Sequence, residues 1–384
     1  MPDVQWSPRD AHPRLDRGAP PGCHGANNRE DPAMRAWAVT ETGKPLQQVD
    51  WPTPEPVGKQ VLLEVTHAGV CHSDLHIWEG EYDLGSRGKM KLTDRGVVLP
   101  LAMGHEIVGK VLKWGPEAKG LTVGDHMIVF PWVGCGQCAA CVAEEDNMCL
   151  KPRSLGVYQN GGYATHVLAP EPRHLVPVGT LDPALAATYA CSGITVYSAI
   201  NKVLPLPPEE PIALVGAGGL GLNAVAVLKA LGHKRIIMVD VSEEKLAAAR
   251  QAGATDTVLA SGEDTTARIV AAAGGQLAAV IDLVNGTQTA RFAFDALRKG
   301  GKLIMVGLFG GELAVPLPLM PIRALTIQGS YVGNPKELRA LVAIAETGAL
   351  PGIPITTMPL PEANTALNRL RDGQVVGRIV LTAG

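Results

Sequence analysis

The sequence predicts an α/β protein in which a doubly wound parallel sheet is joined to a mostly β unit, and three observations carry that prediction. From about Ser192 onward, apolar runs alternate with helical segments rich in Ala, Leu and charged residues, the pattern of a parallel sheet covered on both faces. From Met34 to roughly Ala190, short β-type runs are separated by Gly, Pro and Asp clusters, and no long amphipathic helix interrupts them. Across 384 residues, 46% hydrophobic and 18% charged content with 44 Gly and 30 Pro describes a globular chain rich in turns, long enough for two or three folding units.

Residues 1–33 stand apart, with six prolines, three glycines, and four arginines against five acids. They read as a disordered extension, and their acids argue against a mitochondrial transit peptide. The β-rich part opens with runs at Arg35–Thr40, Val61–Ala68, Ile107–Leu112 and His126–Phe130. In the alternating part, strands are expected at Ile212–Val215, Arg235–Asp240, Thr257–Leu259, Ala279–Val284, Lys302–Leu308 and Leu325–Gly329. The tail from about Lys336 begins with a helix, turns irregular and Pro-rich, and ends in a strand at Arg378–Leu381 that should rejoin the first unit.

A net charge of −3 gives no general attraction to nucleic acid or anionic lipid. No apolar run approaches the ~18 residues of a membrane span, and the N-terminus lacks the apolar stretch of a secretory signal. The chain reads as cytoplasmic, with neither nucleic acid nor membrane as partner.

The apolar run Ile212–Val215 leads into Gly216-Ala-Gly-Gly-Leu-Gly221 and then a helical segment over Leu222–Leu231, which is a dinucleotide fingerprint in its required strand-to-helix context. Gly216 permits the tight turn, Gly218 lets the backbone approach a pyrophosphate, and Gly221 allows close packing of helix on strand. The helix start, with Gly219 and Leu220, offers free N–H donors to phosphate. Asp240 follows Gly221 by nineteen residues at a strand end, placed to accept hydrogen bonds from ribose hydroxyls and to repel a 2′-phosphate. NAD is therefore favoured over NADP. Asp240 could alternatively cap the helix starting near Glu243, a role open to Ser242 as well.

Seven cysteines, four of them within fifteen positions, suit metal ligation in a reducing compartment better than a disulfide framework. Cys135, Cys138, Cys141 and Cys149 can wrap one tetrahedral ion, and a closed, soft, all-thiolate set favours structural zinc. An iron–sulfur cluster competes, but the bacterial ferredoxin run places its fourth cysteine after three residues and follows it with Pro, whereas here the gap is seven and Leu150 follows. A second group is dispersed: Cys71, His76, His105, Glu106 and Cys191. Two cysteines and a histidine suit a catalytic zinc with one open position. Spacing alone leaves open that Cys191 is a small buried hydrophobe and His105 a satisfied core residue.

From Met34 to the C-terminus, the sequence resembles the zinc-dependent medium-chain alcohol dehydrogenases. The matching elements, in matching order, are Gly69-Val-Cys71-His-Ser-Asp74, Gly104-His-Glu-x-x-Gly109, the four-cysteine loop, Cys191-Ser-Gly-Ile-Thr195, the Gly216 loop with Asp240, and Gly377-Arg-Ile-Val-Leu381. The insertion between Trp78 and Pro100, Val306-Gly-Leu-Phe309 and Gly329-Ser-Tyr-Val-Gly333 look more like the tetrameric bacterial and archaeal members. The resemblance implies a mostly β GroES-like catalytic domain over 34–192 and 336–384, with a structural zinc loop at 134–150, and a Rossmann NAD-binding domain over 193–335. It implies two zinc ions per chain, one held by Cys71, His105 and Cys191 and one by the four-cysteine loop, and a homotetramer.

Further roles follow from the resemblance alone. Glu106 would back the catalytic ion, Asp74 would fix the tautomer of His105, Ser73 would accept the alcohol proton, and His76 would pass it out. His72, Thr195, Gly216, Gly218, Gly219, Leu220, Gly221, Asp240, Lys245, Val306, Leu308, Ser330, Val332 and Arg378 would bind the coenzyme. His72 stands where some members have Arg, which should loosen the grip on pyrophosphate. The implied reaction is reversible oxidation of a primary or secondary, apolar alcohol to an aldehyde or ketone with NAD, with Trp78 and Leu308 as pocket walls or simple packing residues. The alternative is a related zinc oxidoreductase acting on polyols or a thiol–formaldehyde adduct, although Cys191 as third ligand argues against the polyol branch.

Overall fold

Every residue of Ile212–Val215 is buried, and alternation explains how: Ile212 and Leu214 enter one core while Ala213 and Val215 enter another. A strand covered on both faces belongs in the middle of a sheet, and this one lies between Ile236–Asp240 and Leu277–Asp282. The computed structural model describes residues 33–383, so the extension expected over 1–33 falls outside the described residues apart from Ala33. Six strands run parallel in the order Asp256–Leu259, Ile236–Asp240, Ile212–Val215, Leu277–Asp282, Leu297–Met305 and Thr326–Gly329. The order reverses beside Ile212–Val215, which opens a crevice at the carboxyl ends of the central strands. The fifth strand departs most from expectation, starting at Leu297 and not Lys302. Arg298, Lys299 and Gly300 break the apolar run there and hide the period.

A second, seven-stranded sheet is mainly antiparallel. Along it lie Leu175–Pro177, His126–Val129, Glu106–Trp114, Val61–Val70, Arg378–Thr382 and Ile355–Pro359, with His166–Ala169 also paired to Val61–Val70. Its register matters for the chemistry. Gly69 pairs with Glu106, and Val70 pairs with Ile379. Cys71, His105 and Arg378 each lie one residue from such a pair, so three strands separated in sequence deliver them to one end of the sheet.

The tail is more regular than its proline content suggests. After the helix Pro335–Glu346 come the strand Ile355–Pro359 and the helix Ala363–Arg371, which buries Ala363, Ala366, Leu367 and Leu370. That spacing of three, four and seven is a helical stripe, but Pro359, Pro361 and Gly373 crowd it at both ends. Among the described residues, no helix is long and apolar enough to cross a membrane.

Candidate active site

Cys71 follows the strand Val61–Val70 directly and caps the helix His72–Glu79. Asp74, in the first turn, accepts from the Cys71 backbone N–H at 2.9 Å and from Gly104 N–H at 3.3 Å and the Tyr163 hydroxyl at 3.2 Å. Its Oδ1 lies 3.0 Å from His105 Nδ1, both side chains being fully buried. A carboxylate there favours the proton on Nδ1 and leaves Nε2 a free lone pair. His105 Nε2 has no partner among the described residues. Cys191 completes the group from a π-turn, Tyr189–Gly193, ahead of the helix Ile194–Val203; such one-residue insertions into helices concentrate at functional sites.

The donor atoms of Cys71, His105 and Cys191 lie within 4.8 Å of one another, and the two sulfurs are 3.9 Å apart. A tetrahedral ion with ~2.3 Å bonds separates its sulfur ligands by about 3.8 Å, whereas a disulfide requires ~2.05 Å. Geometry and the unpartnered imidazole nitrogen both fit a metal with three protein ligands. Hydrogen bonding between the two thiols favours a thiolate on Cys71, helped by the Arg378 charge, and holds the Cys191 thiol well above its usual range.

Glu106 lies behind this trio. Its Oε1 accepts from Ser192 N–H at 3.2 Å and faces Arg378 Nη2 at 3.2 Å. Burial pushes its carboxyl up to about 7, against the pull of Arg378. A side chain at position 69 would place its Cβ 2.0 Å from Glu106 Oε2, which is why that strand position is Gly.

The glycine-rich turn has the form that a dinucleotide needs. Gly216 sits at φ +102, and a Cβ on Gly221 would stand 2.0 Å from the Gly216 carbonyl oxygen. The helix Gly219–Ala230 starts earlier than expected, within the fingerprint itself. A Cβ on Gly218 would project into open space, the room a phosphate requires. Asp240 accepts from Ala217 N–H at 2.7 Å and Ser242 N–H at 2.8 Å, while Ser242 caps the helix Glu243–Ala252. Lys245 stands half-buried on that helix, and His72 is exposed. Thr195 Oγ1, Ser330 Oγ and Arg378 Nε are buried without partners among the described residues, a set of donors available to a bound coenzyme. Val306 and Val332 are buried beside them; Leu308 is 45% exposed. Val332 holds φ +40, a conformation rare for a β-branched residue.

Ser73 and His76 lie three residues apart on His72–Glu79 and so share a helix face. Burial lowers the His76 pKa, with Glu79 and then Cys71 acting in the opposite sense. Trp78 is a packing residue: it is buried in the β-domain core, its indole N–H donates to the Lys44 carbonyl, and Arg371 lies 5.5 Å above its ring.

The four-cysteine lobe brings Cys135, Cys138, Cys141 and Cys149 within the same 4.8 Å limit. Its sulfurs are 3.4 Å (Cys138–Cys141), 3.7 Å (Cys138–Cys149) and 4.0 Å (Cys135–Cys141) apart, again the edges of one tetrahedral ion. Cys149 Sγ accepts backbone N–H groups of Cys135 and Lys151, each at 3.3 Å. The N–H groups of Gln137 and Cys138 lower Cys135 to about 6, and burial pushes Cys141 up to about 12.

Several contributors are absent from the sequence reading. Trp132 donates to the Ala190 carbonyl at 3.0 Å, and its ring lies 5.1 Å from that of His105 and 6.0 Å from that of Tyr331. Tyr82, from the hairpin Glu81–Asp83 and Lys89–Lys91, packs 4.8 Å from the His76 ring. In a chain with 4% aromatics, an aromatic flanking a ligand run, such as Trp132 before Cys135, was a usable signal. Asp146 anchors the lobe: it accepts two bonds from Arg173, at 2.7 and 2.8 Å, and lies 3.3 Å from His174 Nε2. Asn147 Nδ2 donates to the Tyr331 carbonyl at 3.0 Å, next to Val332.

Two family models match the chain, an alcohol dehydrogenase GroES-like domain over residues 58–180 and a zinc-binding dehydrogenase over residues 219–347. The NAD-dependent alcohol dehydrogenase of Sulfurisphaera tokodaii is 40% identical over 351 residues, covering 91% of this chain and 99% of that protein. The chain belongs to the zinc-dependent medium-chain alcohol dehydrogenases. The NAD-dependent alcohol dehydrogenase of Saccharolobus solfataricus is also 40% identical, with the same coverage of each chain. Among solved structures, the alcohol dehydrogenase from Aeropyrum pernix has a TM-score of 0.82 at 33% identity, covering 91% of this chain and 99% of its own. Family membership accounts for the architecture, a Rossmann sheet joined to a GroES-like β domain.

Proposed function

We propose that this chain is a zinc-dependent, NAD-linked alcohol dehydrogenase that interconverts apolar primary or secondary alcohols and their aldehydes or ketones. The observation that carries the reading is the buried trio Cys71, His105 and Cys191, spaced for one metal ion and tied to the Gly216–Gly221 turn through Glu106 and Arg378, whose guanidinium lies beside Gly219. Bound in this cleft, zinc supplies Lewis acidity that lowers an alcohol's pKa, and NAD supplies the hydride acceptor.

In this reading the chain's own groups do the positioning and proton handling. Asp74 orients His105, and the Glu106–Arg378 pair buttresses the ligand end of the sheet. Ser73 takes the proton from the alcohol oxygen, and His76 passes it toward solvent one helical turn away. The Gly216 turn and the helix N-terminus hold pyrophosphate, Asp240 selects the unphosphorylated ribose with Lys245 alongside, and Thr195, Ser330, Val306, Leu308 and Val332 seat the nicotinamide end. Trp132 packs beside His105 and Tyr331 packs edge-on against Trp132, an aromatic surround that suits an apolar substrate. The proposed domains are 34–192 with 336–384 for catalysis and 193–335 for the coenzyme. A cytoplasmic homotetramer is the proposed assembly, supported by the loop likenesses and by exposed Leu317 and Ile322 near the outermost strand, Thr326–Gly329.

The test follows NADH absorbance with zinc-loaded protein across primary, secondary, cyclic and aromatic alcohols. NAD-dependent turnover of apolar alcohols, with little use of NADP, is the expected result. Turnover confined to polyols or a thiol–formaldehyde adduct selects the alternative oxidoreductase, and no NADH formation from any of these substrates overturns the reading.

A further inference from the structure

The helix Gly219–Ala230 is apolar on its buried positions except for one: Asn223, 2% exposed among Leu222, Ala224, Val225, Ala226 and Val227. Apolar packing alone would hold this helix in place, and burying an amide is costly unless its hydrogen bonds are met. Asn223 Nδ2 donates to Ser192 Oγ at 3.0 Å, and Ser192 Oγ donates to the Thr188 carbonyl at 2.9 Å. Ser192 follows Cys191 in the π-turn, and its own N–H reaches Glu106 Oε1 at 3.2 Å. From Glu106 the path returns through Arg378 to the start of the same helix, where a Cβ on Gly219 would lie 3.0 Å from the Arg378 guanidinium carbon. Gly219 and Asn223 are one turn apart on one face. The coenzyme helix therefore contacts the metal-bearing turn at two successive levels, one through Arg378 and Glu106, the other through Asn223 and Ser192.

We propose that Asn223 is a positioning residue that couples nucleotide binding at the glycine-rich turn to metal retention by Cys71, His105 and Cys191. Apolar packing holds the helix in place, and the Asn223–Ser192 hydrogen bond adds a directional tie that links its setting to the Cys191 turn. A nucleotide that seats the helix N-terminus thereby steadies Cys191, and by linkage the ion strengthens nucleotide binding by the same factor. The inference rests on the assignment of NAD to the turn and zinc to the trio.

The test uses ADP-ribose, which occupies a dinucleotide site without a nicotinamide ring to cover the ion. Zinc transfer from the zinc-loaded protein to a colorimetric chelator is timed with and without ADP-ribose, following the phase that accompanies loss of activity. Calorimetry verifies that ADP-ribose is bound. ADP-ribose should slow transfer about fivefold or more in the unmodified protein. Asn223→Leu keeps the branched side-chain shape but removes the donor, so slowing should fall to about twofold or less while ADP-ribose still binds. Ser192→Ala, which removes the acceptor, should act likewise and serves if the first variant does not fold. Unchanged slowing in the variants, or none in the unmodified protein despite bound ADP-ribose, overturns the coupling. Failure of the unmodified protein to bind ADP-ribose instead removes the nucleotide assignment, and the inference with it.

Discussion

The buried trio and the four-cysteine lobe share donor chemistry and are built in opposite ways. The lobe gathers its sulfurs from fifteen consecutive positions, two of the cysteines stay partly exposed, and backbone N–H groups of the same loop support Cys149. The trio draws from positions 71, 105 and 191, is buried at every ligand, and depends on strand register to bring Cys71 to His105 and on the π-turn Tyr189–Gly193 to add Cys191. A local site closes around its ion with four ligands, whereas a site assembled from distant segments can stop at three and leave one position for substrate. That difference separates a metal that stabilises a loop from one that meets a substrate.

The sharpest way to break the contrast is His105→Ala. Turnover should fall by about a thousandfold or more, as expected when a metal site that supplies Lewis acidity is lost, and zinc should drop from two ions per chain to one. Metal analysis alongside steady-state kinetics checks both, and substantial residual activity would contradict the ligand assignment. The reciprocal change, Cys141→Ser, should also cost one ion but lower stability by a few kcal/mol, as loss of a structural metal does. Turnover per folded molecule should stay within about threefold, and denaturant titration with active-site counting separates the two effects.

Asp146→Asn tests whether the lobe is held by the ion pair of buried Asp146 with half-buried Arg173. Losing the charge-assisted hydrogen bonds of such a pair costs ~2 kcal/mol, which urea unfolding would read. Burial alone would raise the Asp146 pKa, but hydrogen bonds from His174 and Arg173 outweigh it and hold the carboxyl well below its usual range. A carboxylate depressed on folding adds stability above its unfolded pKa of ~3.9 and loses it as pH falls further. The unmodified protein should therefore lose stability below about pH 4, and the Asn variant should lose less over that interval. The smallest effect is expected of Asn147→Ala, which frees the Tyr331 carbonyl beside Val332 from the lobe. About 1 kcal/mol of hydrogen bonding is at stake, so KM for NAD should rise up to about fivefold with kcat little changed.

The same contrast explains what could be read from the sequence. The lobe was legible because its ligands are neighbours in the chain, and the glycine-rich turn because a strand, the glycines and Asp240 fall in one local order. Cys71, His105 and Cys191 were not derivable from spacing, since the pairing of Gly69 with Glu106 brings the first two together and no local pattern encodes it. Resemblance to a family supplied that assignment. Tyr82 and Asn223 escape the sequence for a related reason: each looks like an ordinary core or loop residue until a distant segment packs against it. Asn223 in particular interrupts an apolar helix by a single polar residue, a signal visible in the sequence but without direction until Ser192 is placed beside it.

On the proposed function, chemistry requires the three-ligand ion and not the four-ligand one. Zinc content and NADH-forming activity measured together during mild chelation test it most directly. Two ions should be present at the start, activity should fall in proportion to loss of the first, and a folded, inactive protein should retain one ion and regain activity when zinc is restored. Full activity with a single ion remaining per chain would contradict it.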